Sequence, residues 1–175
     1  MEDVKVIDNF LSKEEFSQIS NIICNQPKSN EFPWYISNNS DYPGDENYQL
    51  FHILYNNNIP YSNFFEVFLP VYNNKKLNIF CLYKVRLIAT MKYSGKNNMY
   101  HTDVQDLKMD NLKCKTAVFY FNTNNGGTEF EHNKQIVKSV ANRLIIFSSS
   151  FKHRTIKHTE GDTFRYVLNL NYIEQ

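Results

Sequence analysis

"RLIIFSSSFKHRTIKHTEGDTFRYVLNLNY", residues 143–172, carries the reading that decides the fold. Leu144 to Phe147 is a short apolar run ended by three serines, as expected of a buried strand. "HTEGD" marks a turn. Past it the residues alternate. Tyr166, Leu168, Leu170 and Tyr172 share one face of a strand, and Arg165, Val167, Asn169 and Asn171 share the other. If that second face lines a barrel, a guanidinium points inside. An unpaired buried charge is severely costly, so such an arginine needs an anionic partner. A dicarboxylate would supply one, since a planar guanidinium binds a carboxylate through two hydrogen bonds.

Working toward the N-terminus, "LNIFCLYKVRLIATMKYSG", "KTAVFYFNT", "TEFEH" and "IVKSV" read as further strands, split by "SGKNN", "NTNNGG" and "EHNKQ". Short strands at this spacing predict a sandwich or jelly-roll barrel. The first half differs. "VKVIDNF" alternates like a strand. "LSKEEFSQISNIICNQ" has helical spacing, with Phe16, Ile19, Ile22 and Ile23 on one side and a Ser12/Glu15 capping box at its start. "PWYISNN" fits a short strand, "QLFHILYNN" fits either state, and "SNFFEVFLPVYNNKK" reads as a second helix disturbed by Pro70. The expected layout is one domain over 1–175, with helical support over about 1–78 and a barrel over about 79–173.

Composition supports this reading. The 175 residues are 42% hydrophobic with net charge +1, which is globular and gives no global electrostatic case for nucleic acid or an anionic membrane. The 14 Phe and 12 Tyr against 5 Gly favour a β-rich core. Cys24, Cys81 and Cys114 lie far apart, so a zinc ribbon or disulfide framework is not expected, and free thiols suit a reducing cytoplasm. "MEDVKVIDNF" lacks the pattern of a signal peptide, and no apolar run is long enough to span a bilayer. The expected location is cytoplasmic.

"YHTD", residues 100–103, adds chemistry. His101 and Asp103 are two apart and would share a face. His153 follows 50 residues after Asp103, a gap that can return the chain beside its earlier strands in an antiparallel barrel. The three could form a 2-His-1-carboxylate face, which leaves coordination positions open and points to non-haem Fe(II).

His-x-Asp, a distant His and an Arg opening the final strand resemble the 2-oxoglutarate and Fe(II)-dependent oxygenases, with the prolyl 4-hydroxylase-like branch closest. "FNTNNGGTEFE" and "SVANRLIIFSSSFKHR" support the resemblance, which covers roughly residues 80–172. It implies a mainly β fold with buttressing helices, the double-stranded β-helix or cupin-like jelly roll. It also implies Fe(II) held by His101, Asp103 and His153, with 2-oxoglutarate and O₂ as cosubstrates, and it allows ascorbate as a further cofactor. Arg165 would hold the far carboxylate of 2-oxoglutarate, with Tyr93 and Thr155 beside the same ligand. Phe119 stands where some relatives have a tyrosine. The implied activity is hydroxylation of an unactivated C–H bond on a peptide, protein or free amino acid, coupled to conversion of 2-oxoglutarate to succinate and CO₂. Two alternatives stay open: a nucleobase-directed oxygenase, which would want a basic, aromatic groove, and a barrel that binds a ligand or partner without redox chemistry.

Other polar residues have plainer readings. His158 in "KHTEGD" reads as solvated loop, His52 and His132 as structural or exposed, and Glu129 with Glu131 as a solvated strand face. "NNGG" reads as a hairpin turn needing positive φ. Trp34 reads as packing. Substrate choice is expected to rest on "SGKNNM", "VQDLKMDNLK" and residues 30–48.

Overall fold

Two antiparallel sheets face each other in the computed structural model, which describes residues 4–24, 32–38, 48–93, 98–104 and 113–175. The larger begins at one edge with β1 (Lys5–Ile7), then β9 (Arg143–Ser148), β6 (Cys114–Tyr120) and β11 (Phe164–Glu174). It continues through β5 (Ile79–Met91) and β3 (Gln49–Asn56) to β2 (Tyr35–Ser37), and β4 (Ile59–Pro60) pairs with β3. The smaller sheet is β10 (His153–Ile156), β7 (Gly127–Phe130) and β8 (Ile136–Lys138), in that order. This is the expected jelly-roll, the double-stranded β-helix.

The alternation of β11 explains its central position. Leu168, Leu170 and Tyr172 enter the core on the outer face of the larger sheet, beside Leu87, Phe119 and Leu144. Val167 enters the core between the sheets, with Tyr120, Phe130, Ile145 and Phe147. Both faces of the strand are therefore buried, and no one-residue slip is tolerated.

Helix α1 (Lys13–Cys24) covers the outer face. Its capping box forms as expected: the Glu15 amide donates to Ser12 Oγ at 3.2 Å, and the Ser12 amide donates to Glu15 Oε2 at 3.1 Å. Ile19 and Ile23 are buried, and the Phe16 ring meets Phe119 edge-on at 6.1 Å. Asn142 ties this segment to the barrel, taking the Leu11 amide on Oδ1 at 3.0 Å and donating from Nδ2 to the Leu11 carbonyl at 2.9 Å.

Several expectations need correction. The first 78 residues do more than buttress, because β1, β2 and β3 are strands of the larger sheet. The ambiguous "QLFHILYNN" is β3, held by pairing with β5 along most of its length. The second helix is only a 3₁₀ turn, Phe65–Phe68, running into the short α2 (Leu69–Tyr72). Pro70 lies in the first turn of α2, where its missing N–H costs nothing. "HRTI" is a strand, β10. Gly126 and Gly127 do not adopt positive φ. They are needed for close approach: a Cβ on Gly126 would lie 2.6 Å from the Ile156 carbonyl oxygen, and one on Gly127 would collide with the Val137 backbone. Of the loops expected to set substrate choice, 30–31, 39–47, 94–97 and 105–112 lie outside the described residues.

Candidate metal centre and cosubstrate pocket

The Asp103 carboxylate receives one imidazole on each oxygen. His101 Nε2 is 3.8 Å from Oδ1 and His153 Nε2 is 3.6 Å from Oδ2. The ligand atoms of all three lie within 4.8 Å of one another. Both imidazoles are held the same way. His101 Nδ1–H donates to the Met99 carbonyl at 3.2 Å, and His153 Nδ1–H donates to the Phe151 carbonyl at 3.0 Å. A carbonyl only accepts, so each Nδ1 carries a proton there, and in the neutral ring each Nε2 offers its lone pair on the Asp103 side.

That donor set fits a metal ion. The Nε2–carboxylate separations exceed hydrogen-bonding distance. Two of the donor separations, 3.6 and 3.8 Å, are within about 1 Å of the spacing that nitrogen and oxygen ligands of a shared ion would take. Two neutral imidazoles with one carboxylate suit non-haem Fe(II). The carboxylate is oriented by further partners: Asn169 Nδ2 donates to Asp103 Oδ2 at 2.9 Å and Asn171 Nδ2 at 3.4 Å. Burial alone would push the Asp103 carboxyl up. The surrounding His153, Arg86, Asn169 and His101 outweigh it and hold the group below its usual range, ionised and ready to ligate.

Arg165 lies deeper. Its position on β11 pairs with Thr90, four register pairs away from the Asn169–Arg86 pair beside the carboxylate. Only 2% of Arg165 is exposed. One amino group donates to the Gly127 carbonyl at 3.3 Å, the guanidinium lies 5.2 Å from the Tyr120 ring centroid, and Nε is buried with no hydrogen-bond partner. An orphaned donor on a buried cation is the signature of a site shaped for an anion. The residues present thus fit both an iron ion and a carboxylate-bearing cosubstrate.

His101, Asp103, His153, Thr155 and Arg165 line one cavity. Tyr93 does not. Its side chain is 53% exposed and lies in a neighbouring groove, with Lys157 Nζ 4.3 Å from the ring centroid. The Tyr93 amide bonds to the His158 carbonyl, which fixes the backbone just past the end of β5 and leaves the ring outside the cavity. Phe119 also lies elsewhere, in the outer core. Its neighbour Tyr120 faces the cavity side and donates its hydroxyl to Thr128 Oγ1 at 2.8 Å.

The structure adds Arg86, Asn98 and Thr128 to the cavity wall, none singled out in the sequence. For Arg86 a signal existed. Val85, Leu87 and Ala89 are apolar, while the alternate positions Lys84, Arg86 and Thr90 are polar with Ile88 among them, a pattern like that of the inward face of β11 with its Val167.

Remaining polar residues divide. His158 is fully buried rather than solvated, its Nε2–H donating to the Asp162 carbonyl at 3.0 Å. Glu129 is buried against Arg154 at 2.5 Å, so the solvated-face reading fails there, although Glu131 is half-buried and near Lys152. His52 is structural, bonded to the Pro33 carbonyl and to Ser62 Oγ, both at 2.6 Å. His132 is exposed against Phe151, and Trp34 packs on Tyr166. The three cysteines are free thiols. Among the described residues no helix is long and apolar enough to cross a membrane.

No protein-family model matches the sequence, and no curated protein matches it. Solved structures do share its fold. A prolyl hydroxylase from Trichoplax adhaerens, in complex with a hypoxia inducible factor oxygen degradation domain peptide fragment, superposes with a TM-score of 0.63 at 15% identity, covering 98% of this chain and 83% of its own. An oxidoreductase of the 2OG-Fe(II) oxygenase family from Burkholderia pseudomallei gives 0.65 at 11% identity, covering 98% and 85%. The epimerase SnoN from nogalamycin biosynthesis, in complex with Fe3+, alpha ketoglutarate and nogalamycin RO, gives 0.61 at 8% identity, covering 98% and 78%. At such identities the likeness establishes the fold, a double-stranded β-helix of the form found in 2-oxoglutarate oxygenases.

Proposed function

We propose that the chain is a 2-oxoglutarate- and Fe(II)-dependent dioxygenase that hydroxylates an unactivated C–H bond of a peptidyl or free amino-acid side chain, in the manner of a prolyl 4-hydroxylase. One observation carries the reading: two imidazoles with lone-pair Nε2 atoms converge on a buried carboxylate, in the same cavity as a buried arginine with an orphaned Nε. The shared fold supports it, as does the presence of iron and alpha ketoglutarate in one of the solved relatives.

His101, Asp103 and His153 would hold the iron, which when bound supplies the activation of O₂ that no side chain can provide. The protein's part is positioning. The Met99 and Phe151 carbonyls keep both Nε2 lone pairs aimed at one point. Asn169 and Asn171 stop the carboxylate from rotating away. Arg165 would take the far carboxylate of 2-oxoglutarate, with Tyr120, Thr128 and Thr155 close by. The apolar side chains of Ile88, Val118 and Val167 stand in the same wall and would strengthen that ion pair by keeping water from it. Fixing cosubstrate and target in one geometry is worth several orders of magnitude in rate.

The test is succinate formation from 2-oxoglutarate by the iron-loaded chain, measured across a panel of peptides and amino acids. Stimulation by at least one panel member is expected. No succinate and no cosubstrate binding would defeat the reading.

A further inference from the structure

The metal end of the cavity carries more positive charge than the proposed chemistry uses. Lys84 and Arg86 lie on the inward face of β5, while Val85 and Leu87 between and beyond them are buried in the outer core. Arg86 pairs in register with Asn169, Lys84 with Asn171, and both asparagines donate to Asp103. Arg86 lines the cavity with the three candidate ligands, and its Nε is buried without a hydrogen-bond partner. Lys84, two residues before it on the same strand, is half-buried; burial and then Arg86 disfavour its charge, and Asp103 only partly offsets them. Among the described residues Asp103 is the one carboxylate in this wall, and the metal centre uses it.

Arg165 cannot account for the second guanidinium. The two arginines lie at levels four residues apart along β5, roughly 13 Å of strand. A dianionic cosubstrate at Arg165 would balance a divalent metal and leave Arg86 and Lys84 sharing the single Asp103 carboxylate with that metal and both imidazoles. A half-buried guanidinium whose Nε is shut off from water without a hydrogen-bond partner argues for a ligand that supplies one.

We infer that Arg86, with Lys84 two residues before it, holds a carboxylate of the prime substrate beside the metal centre. The substrate class is then an acid: a free amino acid through its α-carboxylate, a peptide through its C-terminus, or an acidic side chain. A neutral residue inside a chain lacks the group this site is built to bind. The inference rests on the dioxygenase reading and narrows it.

The experiment is calorimetric binding to the full chain loaded with Mn(II), which occupies the ligand set without turnover. The first arm titrates 2-oxoglutarate into wild type, Arg86→Gln and Arg165→Gln, each checked for folding by circular dichroism. Arg86 also stands beside Asp103, so each variant is first saturated with Mn(II); Arg86→Gln should then keep most of the wild-type affinity, while Arg165→Gln loses roughly 30-fold or more. The second arm, with 2-oxoglutarate bound, titrates free amino acids, short peptides with free C-termini, and peptides with an internal Asp or Glu and an amidated end. Each is matched to its neutral amide. At least one acid should bind wild type about tenfold or more tightly than its amide, and Arg86→Gln should erase the difference. Which series discriminates identifies the source of the carboxylate. Acids and amides binding alike, no panel member binding a protein that takes 2-oxoglutarate, or Arg86→Gln weakening 2-oxoglutarate as much as Arg165→Gln, would each overturn the inference. Failure of wild type to bind 2-oxoglutarate would instead overturn the dioxygenase reading beneath it.

Discussion

His101 and His153 face each other across an antiparallel bridge in which each backbone N–H donates to the other's carbonyl at 2.9 Å. Opposed residues in such a pair project side chains to the same side, and the two rings stand 4.8 Å apart between centroids. Placement of these side chains is thus enforced by main-chain hydrogen bonds. A metal bound there would cross-link the segment after β5 to the smaller sheet. Iron or Mn(II) should raise the melting temperature of the wild-type chain, read by differential scanning fluorimetry, and should leave that of a His153→Ala variant unchanged.

Asp103 is the centre of the ligand set. Asp103→Ala should abolish iron retention, measured by metal analysis after gel filtration, along with any 2-oxoglutarate turnover. Asn169→Ala removes only the 2.9 Å donor that orients the carboxylate and should weaken metal binding by about 10–100-fold. Iron retained in full by Asp103→Ala would refute the ligand assignment.

Arg165→Gln keeps an amide but removes the buried charge. The loss expected from deleting one partner of a buried ion pair is about 2–5 kcal/mol, so 2-oxoglutarate binding should fall by roughly 30-fold or more. Arg165→Lys restores charge without the planar fork and should recover only part of the affinity. Titration calorimetry reads both.

Acid should weaken the fold near neutral pH. Burial of His158 lowers its pKa from the ordinary 6.5, and its Nδ1 has no partner to receive a proton's charge. His52 is lowered in the same way, by burial against the opposing pull of the Pro33 carbonyl. A lowered histidine pKa means the unfolded chain takes up the proton first. The stability these groups allow is therefore present above pH 6.5 and falls as pH drops through 6.5 toward the folded values. Melting temperature should decline between about pH 7.5 and 5.5, and His158→Gln should flatten the decline. An unchanged slope in that variant would remove His158 from the account.

Gly126→Ala should destabilise the fold by about 1–3 kcal/mol, because the new methyl meets the Ile156 carbonyl backbone and one strand must move. Chemical denaturation measures this. A neutral effect would show that β10 is free to shift, which would also undermine the fixed position of His153.

The sequence was most readable where one periodicity spans a whole strand. Along β11 the alternation separated Arg165 and Asn169 from Leu168 and Leu170, and both sets lie where their parity requires. The Ser12/Glu15 box marked the start of α1 because its cause is local. Reading failed where tertiary pairing decides. "QLFHILYNN" has no period of its own and is a strand because β5 offers it a ladder. "HRTI" is too short to carry a pattern and is extended because β7 pairs with it. Tyr93 was carried over from a resemblance through a loop of uncertain register, and its ring lies outside the cavity. His158 looked solvated among polar neighbours, yet the turn folds it against Asp162.

The most direct measurement is anaerobic titration of 2-oxoglutarate into the full chain with and without Fe(II). One equivalent of 2-oxoglutarate should bind tightly in the presence of one equivalent of Fe(II), weakly without it, and weakly in Asp103→Ala whether or not iron is added. If binding is absent in both conditions, or is unaffected by Fe(II) and by Asp103→Ala, the three groups gathered in the cavity do not form the metal centre assigned to them.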